Sequence, residues 1–185
     1  LAAASYHSCN RGKRSIAIDF ATPEGAETVR RLVATSDVLI ENFKLGGLKK
    51  YGLDYDNLKT INPRLVYCSI TGFGSEGPYR DRPAFDFIAQ AMSGFMSVNG
   101  DKDDPPLHSG LPISDLVCGI YGALGVCAAL LGRERNGGAE RVDVSLTNSM
   151  VSLLAYVASH YFATGEVLPR TGNDHPIASP YGVFR

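Results

Sequence analysis

Between residues 14 and 43 the hydrophobic period changes twice, and that change limits the folds open to this chain. RSIAIDF (14–20) sets Ile16, Ile18 and Phe20 against Ser15, Ala17 and Asp19, the two-residue period of a strand with one buried face. TPEGAETVRRLVATS (22–36) switches to a helical period. Thr22 stands as N-cap, Pro23 suits the first turn, and Val29, Leu32 and Val33 share one stripe. DVLIENF (37–43) is then a short apolar strand of the kind found in parallel sheets covered on both faces. Strand, helix and strand make a β-α-β unit, whose parallel strands require a crossover.

The alternation continues. DYDNLKTIN (54–62) predicts a short helix and RLVYCSI (64–70) another strand, followed by TGFGSEGPYRDRP (71–83), a loop set by its glycines and prolines. FDFIAQAMSGFMSVNG (85–100) predicts a helix to about Ser93, and DKDDPPLHSG (101–110) a polar linker. The run from Asp115 to about Arg133 predicts a long buried helix, ERVDVSL (140–146) a strand, and NSMVSLLAYVASHYFAT (148–164) a closing helix. Together these predict a single α/β domain over residues 1–185, with a Rossmann-like, largely parallel sheet and flanking helices.

The longest apolar run, Leu116 to Leu131, is rich in Gly and Ala and shorter than a membrane span, so it reads as part of a core helix and predicts no membrane segment. Lys and Arg number 18 against 19 Asp and Glu, a formal net charge of −1, so no overall field attracts nucleic acid or anionic lipid. Cys9, Cys68, Cys118 and Cys127 form no C-x-x-C pair and have no histidine at metal-ligand spacing. They predict reduced thiols, no metal site and an intracellular protein, cytoplasmic or in the mitochondrial matrix. LAAASYHSCN lacks the features of a signal peptide. The chain starts at Leu1 and stops at Arg185 in mid-element, which predicts a piece of a longer polypeptide.

Three motifs carry chemistry. Gly72-Phe-Gly74-Ser-Glu-Gly77 follows a strand, but Pro78 and Pro83 leave no room for the helix that a dinucleotide fingerprint needs, so it predicts a mobile glycine loop. Arg11, Lys13 and Arg14 precede the first predicted strand, and Lys44, Lys49 and Lys50 follow the second. Either group is a solvated edge or a phosphate site. Asn42, Phe43 and Lys44 stand beyond the carboxyl end of a strand, where open α/β sheets bind ligands. Asp115 is the one acid at the head of the long helix. It reads as a helix cap, and the same surroundings would keep a carboxylate ionised and nucleophilic. Gly119, Gly122, Ala123 and Gly125 would let another backbone approach and narrow the site. His7, His108, His160 and His175 form no triad or metal pattern.

The segments NRGKRSIAIDFATPEG, SDVLIENF, YGLDYDNLKTINPRLVYCSITGFGSEGPY, FDFIAQAMSG, SGLPISDLVCGIYGALGVCAALLGRERNGG, RVDVSL and GNDHPIASPYGVF occur in an order and spacing that resemble the family III CoA-transferases. That group includes formyl-CoA, carnitine and dicarboxylate CoA-transferases and α-methylacyl-CoA racemase. The resemblance implies part of the large domain of an interlocked homodimer. It also implies acyl-CoA and a carboxylic acid as substrates, with no tightly bound cofactor. It places the nucleophilic aspartate at Asp115, which would attack the donor thioester to give an aspartyl-acyl anhydride and then an aspartyl-CoA thioester. CoA contacts are implied at Ile18, Asp19, Phe20, Ala21, Asn42, Phe43, Lys44 and Lys50, and at Ala84, Phe85 and Asp86 next to Pro83.

The racemases of this group carry a histidine where this sequence has Phe85, so the proton-abstracting base is missing and transfer is the expected reaction. The alternatives are a racemase-like isomerase or a non-catalytic fragment that binds CoA or a partner chain. HYFATG and GNDHPIASPY resemble members acting on dicarboxylates.

Overall fold

The computed structural model describes residues 4–184; residues 1–3 and 185, with the expected cut ends, lie outside the described residues. Strands β1 (Val38–Glu41), β2 (Val66–Thr71) and β3 (Glu140–Ser145) form a parallel sheet in that order, β2 in the centre. Cys68 of β2 stands opposite Ile40 on one side and Val142 on the other. The helices are α1 (Ala4–Asn10), α2 (Pro23–Val33), α3 (Tyr55–Ile61), α4 (Asp86–Met92), α5 (Phe95–Val98), α6 (Ile113–Asn136), α7 (Leu146–Leu153) and α8 (Ala155–Thr164).

Alternation along β2 divides the core between the two faces of the sheet. Tyr67 packs with Val33, Leu48, Leu53, Leu58 and Leu65 under α2 and α3. Val66 and Cys68 pack with Val126 of α6 on the opposite face. A third cluster, Ala89, Cys118, Leu146 and Met150, joins α4, α6 and α7. The α/β expectation holds, with a sheet of three strands among the described residues. α2 begins as its sequence predicts, with Pro23 at the first turn and the Thr22 hydroxyl accepting the Gly25 N–H at 3.1 Å.

Several local expectations are corrected. Residues 14–20 form no strand, and Ile16 is 66% exposed. An alternating pattern suits a pleat, but a strand needs a ladder partner, and none lies beside this segment among the described residues. The closing helix begins earlier, at Leu146, because the Ser145 hydroxyl caps it through the Asn148 N–H. It also breaks at Leu154, and Ala155 adopts a φ of 43°. Before the break, Ser149 and Ser152 turn their hydroxyls back onto the carbonyls of Ser145 and Ser149, a bond that competes with helical geometry.

The long helix is buried along one stripe only: Ser114, Cys118, Gly122, Val126 and Arg133. Leu116, Ile120, Leu124 and Leu131 on its other side are 49–65% exposed. At 24 residues, with an 18-residue stretch of mean hydropathy 1.8, α6 is also longer than the apolar run suggested, and by length and composition alone it could cross a membrane. Its buried stripe, which holds the charged Arg133, packs on the sheet and on α7. The small residues act against side chains of the sheet, where a Cβ on Gly125 would press on Val142 and one on Gly122 would touch Cys68 and Ile70.

Candidate functional site

The carboxyl ends of β1 and β2 open into a cavity of about 860 Å³. One wall is the chain from Ile40 to Leu45, and a second is the loop from Arg80 to Phe85. The head of α6 closes it with Asp115 and Gly119. Parallel sheets present such a crevice because each strand delivers its following loop to the same edge.

Of the residues singled out in the sequence, Asn42, Phe43, Lys44, Ala84, Phe85 and Asp115 meet around this cavity. Ile18, Asp19, Phe20, Ala21, Lys50 and Asp86 do not line it. Phe20 packs edge-on against Phe43 at 5.4 Å and Tyr51 at 5.3 Å, and the Lys50 ammonium lies 4.6 Å from the Tyr51 ring centre. That aromatic group ties the 18–21 segment and Lys50 to the back of the cavity wall. Asp19 builds the turn into α2, its side chain accepting the Ala21 N–H at 3.0 Å and its carbonyl accepting the Thr22 hydroxyl at 2.8 Å. Arg11, Lys13 and Arg14 line neither this cavity nor a smaller one of about 200 Å³ beside it, which Lys44, Lys49 and Arg141 enter.

Sequence reasoning passed over Arg80, Arg82 and Glu41, which all line the large cavity. The available signal was the pair of arginines in RDR, placed in the loop that leaves a strand's carboxyl end. Glu41 accepts the Ser69 hydroxyl and the Phe43 N–H, which orders the turn after β1. The glycine loop opens no helix before α4, consistent with rejecting a dinucleotide fingerprint. Its base is anchored: the Gly72 carbonyl accepts the Thr147 N–H and hydroxyl, and a Cβ on Gly72 would collide with Ala84.

Asp115 is the third residue of α6, yet its side chain makes no capping bond among the described residues. Pro112 occupies the N-cap without a side-chain bond. The acid that serves the helix end is Asp86 of α4, which accepts the Ser114 N–H at 2.9 Å and the Ser114 hydroxyl at 2.8 Å. Burial first, and the neighbouring Asp86 charge second, push the Asp115 carboxyl above its ordinary value of 3.8. The capping reading is thus corrected. Asp115 is a carboxylate facing a cavity, made more basic by its surroundings. The Cys118 thiol one turn on is 1% exposed and raised chiefly by burial, which makes it a poor competitor.

Sequence comparison decides the family, since residues 2–185 match CoA-transferase family III. The chain belongs to that family. It is 50% identical over 183 residues to a succinate-glutarate CoA-transferase of Agrobacterium fabrum, covering 99% of this chain and 46% of the relative. It is 41% identical over 183 residues to a succinyl-CoA:mesaconate CoA-transferase of Haloarcula hispanica, covering 97% and 46%. The crystal structure of a CaiB/BaiF family protein from Brucella suis superposes with a TM-score of 0.93 at 50% identity, covering 99% of this chain and 48% of that one. This family III chain spans about half the length of the curated relatives it matches.

Proposed function

We propose that this chain forms the nucleophile-bearing part of an acyl-CoA:carboxylate CoA-transferase, with Asp115 as the covalent nucleophile. The observation that carries the reading is a carboxylate with no side-chain hydrogen bond among the described residues, its pKa raised by partial burial and by Asp86, on the wall of a cavity that also receives Lys44, Arg80 and Arg82. Both substrates are anions, and those cations supply the matching charge. A raised carboxyl pKa makes the ionised form a stronger nucleophile at neutral pH.

In this scheme an Asp115 oxygen attacks the donor thioester carbonyl, the C–S bond breaks, and CoA leaves as thiolate. The thiolate attacks the Asp115 carbonyl carbon and expels the donor acid as its carboxylate, leaving an aspartyl-CoA thioester. The acceptor carboxylate repeats the sequence in reverse, which restores Asp115 and releases the new acyl-CoA. One thioester is exchanged for another, so the step needs shelter from water more than a driving force. Phe85 lines the cavity and has no titratable proton, which argues against α-proton exchange.

The names of the relatives support dicarboxylates as the acids, with succinyl-CoA as donor. We propose a homodimer as well, because the uncovered apolar face of α6 needs burial that the described residues do not provide. The transfer reading is tested by incubating the full-length protein carrying this sequence with succinyl-CoA and isotopically labelled glutarate. Labelled glutaryl-CoA that disappears in Asp115→Ala supports it. Transfer that persists in the variant removes Asp115 as nucleophile.

A further inference from the structure

Asp86 reaches α6 from another helix, and its own position is fixed from behind. Gln90, one turn along α4 and fully buried, donates its Nε2–H to Asp86 Oδ2 at 2.7 Å. Its Oε1 accepts the Ser109 N–H at 2.7 Å, which fastens the segment leading into α6. Asp86 Oδ1 holds both Ser114 groups, and Ser114 is itself fully buried. One glutamine therefore connects α4, the chain at Ser109 and the first turn of α6. The next residue after Ser114 is Asp115.

We propose that Gln90, acting through Asp86, is a positioning residue for Asp115. The inference rests on the transferase reading and adds to it the residue that aims the nucleophile. Only a side chain with a donor and an acceptor on one planar group meets both demands here. Methionine fills the space and offers neither, while an ionised glutamate sets a second carboxylate against Asp86. A turn held by buried, satisfied hydrogen bonds keeps a nucleophile in line, and a misplacement of about 1 Å costs on the order of a hundredfold in rate.

Asp115 is faced by Asp86 from α4 and Cys118 from its own helix. Glu41 and Lys44 after β1, and Arg80, Asp81 and Arg82 from the loop, face the same cavity.

The test uses the full-length protein, following the Asp115 adduct with succinyl-CoA in a single turnover across pH. Wild type must form the adduct; its absence there overturns the transferase reading, and this inference with it, before any variant is compared. In Gln90→Met the rate of adduct formation falls between about tenfold and a hundredfold, while KM for succinyl-CoA is unchanged. Gln90→Glu gives a second, independent readout, because a protonated glutamic acid can donate to Asp86 and accept from Ser109 as glutamine does. Its rate relative to wild type rises as pH is lowered, and taking the ratio cancels the titration of Asp115 itself. A folded Gln90→Met with a wild-type adduct rate, or a Gln90→Glu ratio flat with pH, reduces Gln90 to a packing residue and overturns the inference.

Discussion

The two ends of α6 use charge in opposite ways. At its carboxyl end the buried Arg133 is committed to the scaffold: it donates to the Arg64 carbonyl at 2.9 Å and pairs with Asp37 at 3.0 Å, pinning the helix to the amino ends of β1 and β2, while its Nε has no hydrogen-bond partner among the described residues. At its amino end the Asp115 side chain has no hydrogen bond among the described residues, while its neighbour Ser114 takes the capping contact. A charge committed to the scaffold is occupied in holding that scaffold together. One left without a side-chain partner on a cavity wall is available for chemistry.

Substitutions at the two ends should separate accordingly. Asp115→Asn removes the nucleophile and lowers transfer by at least about a thousandfold, on the order of 4 kcal/mol of barrier, with the fold intact by circular dichroism. Arg133→Met leaves adduct formation at Asp115 in place and destabilises the chain by about 2 kcal/mol in urea unfolding, because the Arg64 carbonyl loses its partner. Arg80→Ala and Arg82→Ala each raise KM for acyl-CoA by about tenfold, the loss of one charge-assisted hydrogen bond, and the penalty shrinks as salt is added. Thr22→Ala, at the start of α2, costs about 1 kcal/mol of stability and does not change turnover.

The smallest effect concerns the linkage of Asp115 to pH. Its folded-state pKa is raised, so the folded chain binds the proton more tightly than the unfolded chain does. The contribution to stability is therefore greatest at acid pH and is lost as pH rises through the folded value. Asp115→Asn should then be slightly more stable than wild type at pH 7, with the advantage shrinking toward pH 4, as thermal melts across that range would show.

What could be read from the sequence follows from the range of each interaction. The helix at 22–36 and the strands at 37–43, 64–70 and 140–146 were legible because period and capping are local. The supposed strand at 14–20 was not, because pairing is decided by a neighbour that no local pattern reveals. The exposed side of α6 escaped for the same reason: composition gives apolar content, while partners decide burial. At the site, Asn42, Phe43, Lys44 and Asp115 were legible from their place beyond strand ends and at a helix head. The true cap was hidden by distance along the chain, since Asp86 and Ser114 stand 28 residues apart, and Arg133 and Asp37 stand 96 apart.

The most direct measurement of the central claim is chemical. The full-length protein is incubated with succinyl-CoA, trapped with hydroxylamine, and digested for peptide mass spectrometry, with Asp115→Ala alongside. A modification confined to Asp115 and missing from the variant is the predicted result. Bound CoA with Asp115 unmodified for every acyl donor tried, or a modification that persists in the variant, would contradict it.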